Sequence, residues 1–299
     1  SLIYLSLTAA CAMAYGVTGM GAFDAIAHAM TTVATAGFST RDASMGAFTE
    51  GGSDYVAMVF MLLASLPFVA YLMLVRGHPS AFWRDPQVRG FFTVIAAAIA
   101  AMSAFVIAAD LYAPGAGIRT AAFNTISVIT GTGYATADFG IWGAPATAGF
   151  FVLMFAGGCA GSTTCSVKIF RYQIALLAMR QHIVSLAHPR AITPLRYGGR
   201  PVSPELVYSV LGFLFAFIAV FTVSAAVLAA IGLDTTTALS GAASTLANVG
   251  PGLGEIIGPA GTYQPLPDAA KWVMSANMLI GRLEVLTVLI LFTPRFWQS

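Results

Sequence analysis

Long apolar segments alternate with short ones along this chain, and each short one ends on a glycine. Residues 2–17 are apolar and stop near Gly16, Gly19 and Gly21. They fall short of the ~20 residues a helical span needs, so they predict a span cut at its N-terminal side. Residues 22–34 read as a short, mildly amphipathic helix carrying Asp24 and His28, followed by the break Thr35-Ala36-Gly37-Phe38-Ser39-Thr40-Arg41-Asp42. After a polar loop over 46–54, residues 55–75 predict a full span that tolerates Pro67, and 76–89 a basic loop. Residues 90–111 form the next span, Pro114-Gly115 a turn, and 118–129 a second short helix that runs into Gly131-Thr132-Gly133-Tyr134-Ala135-Thr136-Ala137-Asp138. The apolar run 146–180 is too long for one ordinary span, and Gly157-Gly158-Cys159-Ala160-Gly161-Ser162-Thr163-Thr164-Cys165-Ser166 interrupts it. A second basic loop covers 181–204, a span 206–231, and a third short helix 235–246, ending in Ala247-Asn248-Val249-Gly250-Pro251. A Gly/Pro-rich loop reaches Asp268, and 271–292 is the last span.

The order is span, short helix with a glycine break, span, three times over, and such internal repetition governs the fold. The octapeptides 35–42 and 131–138 align without a gap, with glycine, aromatic, threonine and aspartate in register. The third break keeps Gly250 and places Pro251 where the others have an aromatic. The predicted class is therefore an all-α integral membrane protein. Its unit is a membrane helix, a short pore helix with a re-entrant loop, and a second membrane helix. Composition agrees: 58% of the 299 residues are hydrophobic and only 9% charged, with a mean hydropathy of +0.82, where soluble domains carry ~25% charged residues. Cys11, Cys159 and Cys165 match no disulfide framework or metal-ligand spacing and read as packing residues. The start, Ser1-Leu2-Ile3, carries no basic leader and reads as the middle of a longer chain.

Charge orients the loops. Re-entrant short helices put one set of loops on a single side with Arg76, Arg84, Arg89, Lys168, Arg171, Arg180, Arg190, Arg196, Arg200 and Arg295, against only Asp85 and Glu205. The opposite side holds Asp24, Asp42, Glu50, Asp54, Asp110, Asp138, Asp234, Glu255 and Asp268 against Arg41, Arg119 and Lys271. The positive-inside rule makes the first side cytoplasmic. The glycine breaks then face outward under a ring of acids, which would concentrate cations.

The chemistry of the breaks follows from their backbone. A dehydrated monovalent cation needs several oxygen ligands held without a full counter-charge. The carbonyls of Thr35-Ala36-Gly37, Gly131-Thr132-Gly133 and Asn248-Val249-Gly250 can supply them, with the negative ends of the short helices aimed at the ion. Glycine admits backbone angles that a Cβ opposes, and non-helical backbone at membrane depth survives only where it lines a cavity or is buried. The plainer alternative is three helix C-caps with glycine as the left-handed residue.

The phrases Thr-Ala-Gly-Phe-Ser-Thr (35–40), Thr-Gly-Tyr-Ala-Thr-Ala-Asp-Phe (132–139), Gly-Gly-Cys-Ala-Gly-Ser-Thr (157–163), Ala-Asn-Val-Gly-Pro-Gly-Leu-Gly (247–254) and Gly-Arg-Leu-Glu (281–284) carry a resemblance. They resemble the Trk/Ktr/HKT superfamily of potassium transporters, and most closely its bacterial TrkH-type branch, along the whole chain. The resemblance implies four membrane–pore–membrane repeats around one pore. Three are visible: 1–80 as an N-terminally truncated second repeat, 81–190 as the third, and 191–299 as the fourth. The first is absent, so this chain alone is not expected to close a pore. The implied filter glycines are Gly37, Gly133 and Gly250. The implied gate is the intramembrane loop with Gly157, Gly158, Gly161, Ser162, Thr163, Thr164, Cys165 and Ser166. The chain departs from the commoner family form at Thr164-Cys165-Ser166-Val167, where a glycine pair often precedes the lysine. Potassium is the implied cargo, with no organic cofactor. The implied setting is a homodimer in a bacterial inner membrane, with a cytosolic nucleotide-binding regulatory subunit on the basic face and no nucleic acid.

Arg282 lies near the middle of the last predicted span, where a charge costs at least ~2.5 kcal/mol on insertion scales and marks function by default. In the family the matching arginine faces the pore and opposes cation passage; the alternative is a buried ion pair. Glu284, two residues on, lies off the same helical face and is not its obvious partner. Two other classes of function remain open. A transporter of another small solute would use discontinuous helices at the midplane, but bare glycines and small residues suit it poorly. A membrane enzyme would need a nucleophile or metal set, and His28, His78, His182 and His188 sit in loops or on a short helix. A phosphate-binding loop is excluded by the missing Gly-Lys-Ser/Thr ending.

Overall fold

The computed structural model describes residues 2–188, 194–291 and 293–297. Arg190, one of the basic residues assigned to the inner face, lies outside them. The helices follow the predicted order. They are α1 (Leu2–Val17), α2 (Ala22–Val33), α3 (Ser53–Ala64), α4 (Phe68–Val75), α5 (Pro79–Arg84), α6 (Pro86–Ala108) and α7 (Pro114–Ile129). Next come α8 (Ala144–Leu153), α9 (Ile169–Ala187), α10 (Pro204–Ala230), α11 (Thr235–Ala247), α12 (Gly254–Ile257), α13 (Asp268–Arg282) and α14 (Val285–Ile290). The second basic loop is shorter than predicted. α9 continues to Ala187, and β1 (Arg196–Tyr197) and β2 (Arg200–Pro201) pair as a small antiparallel hairpin.

The helix starts are written in capping chemistry. The Asp85 carboxylate accepts from Gln87 N at 2.8 Å, Ser203 Oγ from Leu206 N at 3.4 Å, and Asp234 from Thr237 N at 3.1 Å. Pro86 and Pro204 occupy first helical positions, where the missing N–H costs nothing. Pro114 does the same, so the predicted turn at Pro114-Gly115 is instead the first turn of α7.

Among the described residues only α6 and α10 are single helices long and apolar enough to cross a membrane. The other predicted spans are short or broken, and this corrects two of them. The segment 55–75 is not one continuous helix: α3 and α4 meet at 91° across Ser65-Leu66-Pro67. Proline removes the donor that Leu63 O would have used, and the Tyr71 hydroxyl takes its place at 2.6 Å. The last segment breaks at Leu283–Glu284, with Glu284 at φ 60, so Arg282 ends α13 rather than sitting inside a span.

Long helix, short helix and broken helix thus recur three times: α1–α2–α3/α4, α6–α7–α8/α9 and α10–α11–α13/α14. The second and third short helices lie deepest. Every residue from Phe123 to Ile129 is buried, as is all of α11 from Thr237 to Ala247 except Leu239. Small residues make that possible in α11. A Cβ on Gly281 of α13 would overlap the Leu246 carbonyl, so the two helices touch backbone to backbone. The long helices point Phe215, Ile218 and Val223 outward, as a bilayer requires.

Candidate functional site

The three short helices end alike. Just past each, the first residue of the triad donates its N–H three residues back: Thr35 to Thr32 O (3.1 Å), Gly131 to Val128 O (3.0 Å) and Asn248 to Thr245 O (3.3 Å). The second donates five residues back: Ala36 to Thr31 O (2.8 Å), Thr132 to Ser127 O (3.0 Å) and Val249 to Ser244 O (2.9 Å). These are three copies of one helix-ending motif, with Thr35 (φ 50), Gly131 (φ 65) and Asn248 (φ 57) as its left-handed residue. The caps are therefore real, but glycine fills the left-handed place in only one of them. Gly37, Gly133 and Gly250 come two residues later, at φ 64, 83 and 107. The finished cap does not require this second left-handed turn.

Packing between the triads does require it. A Cβ on Gly37 would overlap Thr132 O, and one on Gly133 would overlap Val249 O. The triads thus stand side by side in chain order, each glycine against the middle carbonyl of the next. Around Gly250 the nearest atom to such a Cβ is Gly133 Cα at 3.8 Å, so the arc is open on that side. Ala36 and Gly250, at the two ends of the arc, are exposed, while Gly131, Thr132 and Val249 are buried.

The triad N–H groups turn back into their helices, and the carbonyls do not follow. Of the nine triad carbonyls, only that of Gly250 accepts a hydrogen bond among the described residues, from the Tyr263 hydroxyl at 2.7 Å. Buried carbonyls are ordinarily paired with a donor, water or a ligand. A row of them left open on adjacent backbones is a set of candidate oxygen ligands.

The shell behind the second triad is polar and buried. The Tyr134 hydroxyl lies 2.6 Å from Thr31 Oγ1 and donates to His28 O at 3.1 Å, tying the second break to α2. Ser127 Oγ donates to Tyr134 O at 2.7 Å, and Asn124 Oδ1 accepts from Thr136 N at 3.2 Å. His28 is fully buried, with Nδ1 2.7 Å from Asp24 O and Nε2 2.9 Å from Ser39 Oγ. Sequence reasoning aligned Phe38 with Tyr134 but missed this role. Tyr134 is completely buried and Phe38 is 75% exposed, and only the hydroxyl of the tyrosine hints at the difference.

The acids expected to ring the outer mouth are largely engaged elsewhere. Asp54 is buried and takes two hydrogen bonds from Arg119, whose Nη2 also reaches Thr49 O. Asp24 accepts from Thr40 and Arg41, Asp138 from Gly140 N, and Asp234 caps α11. Thr40 and Arg41 hold the Asp24 carboxyl below its usual range. Asp42, Glu50, Asp110 and Glu255 remain exposed and make no ion pair among the described residues.

The interruption 157–166 docks into the break between α3 and α4. Phe68 N donates to Gly161 O (2.9 Å), Cys159 N to Ser65 O (3.0 Å), and Thr163 N and Oγ1 to Ala64 O (3.3 and 3.1 Å). The polar groups that the bent helix frees are answered by the loop. Gly157 and Gly158 admit this closeness, since a Cβ on Gly157 would lie 2.6 Å from Cys165 O and one on Gly158 3.0 Å from Ser65 O. Ser162 Oγ lies 2.8 Å from Thr164 Oγ1, and Ser166, at φ 62, donates to Met154 O.

Thr163 O is where loop, first triad and last helix meet. It accepts from Thr35 Oγ1 at 3.1 Å and from Arg282 Nη1 at 3.3 Å, and the same nitrogen lies 3.0 Å from Cys165 Sγ. Arg282 is exposed and makes no ion pair among the described residues. Glu284 pairs instead with Lys168 (2.8 Å) and Arg171 (2.7 Å); it is not the partner of Arg282, although the helix break rather than a helical face separates them.

Known proteins share this arrangement. The profile of the TrkH family, described as cation transport proteins, matches residues 1–299. The chain is 46% identical to the Trk system potassium uptake protein TrkI of Halomonas elongata, over 99% of this chain and 60% of that protein. It is 35% identical to the Trk system potassium uptake protein TrkH of Escherichia coli, over all of this chain and 62% of that protein. The crystal structure of the potassium transporter TrkH from Vibrio parahaemolyticus superposes with a TM-score of 0.93 at 38% identity, covering 99% of this chain and 64% of that one. The chain thus spans about three fifths of the length of these relatives. Three matched helix endings, a loop seated in a broken helix, and agreement in sequence and structure from end to end place this chain in the TrkH family of cation transport proteins.

Proposed function

We propose that this chain supplies three of the four walls of a potassium-selective pathway across a bacterial inner membrane. Residues 1–80, 81–190 and 191–299 act as its second, third and fourth repeats. The observation that carries the reading is the row of open carbonyls on Thr35-Ala36-Gly37, Gly131-Thr132-Gly133 and Asn248-Val249. A left-handed residue at the first and third place of each triad, with negative φ between, is the alternation that can turn successive carbonyls to one side, where they replace an ion's water shell. The negative ends of three helices add to the field there. The open side of the arc at Gly250 and Ala36 is the place for a fourth segment.

Below the triads, the loop 157–166 and Arg282 act as the gate. Arg282 puts a positive charge in the ion's route while Thr163 O and Cys165 Sγ hold it. Passage requires the loop to release Thr35 Oγ1 and Arg282 together, because both bind the Thr163 carbonyl. The basic face is read as the docking side for a cytosolic nucleotide-binding regulatory subunit, and the protein as a homodimer; the relatives' names support association with other components of a Trk system.

The test is rubidium and sodium flux into liposomes carrying the full-length protein or its Gly133→Asp variant. The expected result is rubidium flux that exceeds sodium flux and is lost in the variant. Equal flux in both would mean that the triads are helix ends only, and would favour transport of another solute at the broken helices.

A further inference from the structure

We propose that the cavity beneath the α3–α4 bend is a binding site for an anionic phospholipid of the cytoplasmic leaflet. The cavity holds ≈ 660 Å³. One wall is apolar: Pro67, Ala70 and Met73 from the bend and α4, and Phe82 from α5. The other carries two guanidinium groups, Arg84 at the end of α5 and Arg200 in the hairpin. Neither makes an ion pair or hydrogen bond among the described residues. Asp85 also faces the cavity, where its carboxylate caps α6 at Gln87 N and keeps its charge, so two arginines against one aspartate leave the wall net positive.

The shared chemistry that fits two guanidinium groups is a phosphate anion. The apolar wall selects a lipid over free phosphate. It continues onto α4, whose Val69, Leu72 and Val75 are exposed and which turns 91° from α3. Trp83, 59% exposed beside Arg84, is the residue type that settles at the headgroup level. Both guanidinium groups lie on the side that the loop charges make cytoplasmic, where anionic lipid gathers.

The site is joined to the intramembrane loop. Gln87 lines the cavity and accepts from Ala160 N at 2.8 Å. Tyr197, in the hairpin wall, donates to Gln173 Oε1 (2.6 Å), and Gln173 Nε2 donates to Pro86 O (2.8 Å). An occupant therefore touches the residues that hold the loop's cytoplasmic edge.

Native mass spectrometry of the full-length protein tests this without any transport readout. The detergent-purified protein is mixed with phosphatidylglycerol, with phosphatidylcholine, or with phosphatidylglycerol plus inorganic phosphate. Phosphatidylglycerol adducts should exceed phosphatidylcholine adducts and fall by about five-fold for each guanidinium removed in Arg84→Gln and Arg200→Gln. Ala70→Trp, which fills the apolar end and leaves both arginines, should lower them as well. Arg76→Gln with Arg180→Gln removes the same charge elsewhere and should change nothing. Equal retention by the Arg84/Arg200 double variant, equal loss in the control double variant, or displacement of the lipid by inorganic phosphate would overturn the assignment.

Discussion

Gly131 and Gly133 are two residues apart, both left-handed, and should differ sharply in what a methyl group does to them. Gly131→Ala puts its Cβ 3.6 Å from Asn248 O, an ordinary contact, so the variant bears only the left-handed strain, about 1–2 kcal/mol. Thr35 and Asn248 already hold the matching place with side chains. Gly133→Ala bears the same strain, and its Cβ also falls on the Val249 carbonyl oxygen and 3.1 Å from Pro251 Cδ. That oxygen must retreat by roughly 1.4 Å to restore van der Waals contact. Overpacking of this kind costs about 1–3 kcal/mol. Borne by the position of one carbonyl of the proposed filter, it corresponds to a roughly 5- to 150-fold change in relative ion affinity. The assay is the ratio of rubidium to sodium flux in proteoliposomes of the full-length protein, alongside thermal unfolding in detergent. Gly131→Ala should lose some stability and keep the ratio; Gly133→Ala should lower the ratio by at least the smaller factor. A shift of equal size in both variants would refute the reasoning, because it would mean that backbone strain, not the contact with Val249 O, sets the site.

Two further perturbations probe the shell around the site. Tyr134→Phe removes a buried hydroxyl, but Thr31 and Thr32 retain carbonyl acceptors of their own; the loss in unfolding free energy should stay near about 1 kcal/mol, and a loss above about 3 kcal/mol would show that the hydroxyl does more than join α2 to the second break. Asp234→Ala should cost about 0.5–2 kcal/mol as a lost N-cap, while Asp234→Asn should cost little. Hydrogen bonds from the Thr237 side chain and N–H hold the Asp234 carboxyl below its usual range. The stabilisation is thus present above the unfolded value of about 3.9 and fades as pH falls through the folded one. The gap between wild type and Asp234→Ala in thermal melts should be flat from pH 5 to 8 and narrow in more acidic buffer.

Much of the site could be read from residue order because it rests on local chemistry repeated three times. The glycines at 37, 133 and 250 and the interruption at 157–166 follow from sequence spacing. The helix breaks were harder to read. Pro67 in an apolar run is compatible with a mild kink, and only the loop that answers Ala64 O and Ser65 O makes a right-angle bend affordable. The break at Glu284 has no proline or glycine of its own; Lys168 and Arg171, more than a hundred residues away, hold it. The acids mislead for the same reason, since Asp54 faces Arg119 across two helices rather than water.

By itself the sequence determined the class of protein and the threefold order of long and short helices. Hydropathy acts over a few residues, so the order of residues suffices for them. Tertiary structure alone decided which glycines are indispensable, because a Cβ is excluded at Gly37 and Gly133 only by carbonyls that another repeat brings there. It alone decided that Thr163 O is shared by Thr35 and Arg282, a meeting of three distant segments. Contacts of that kind depend on how the repeats close around one another, and no local signal in the chain records it.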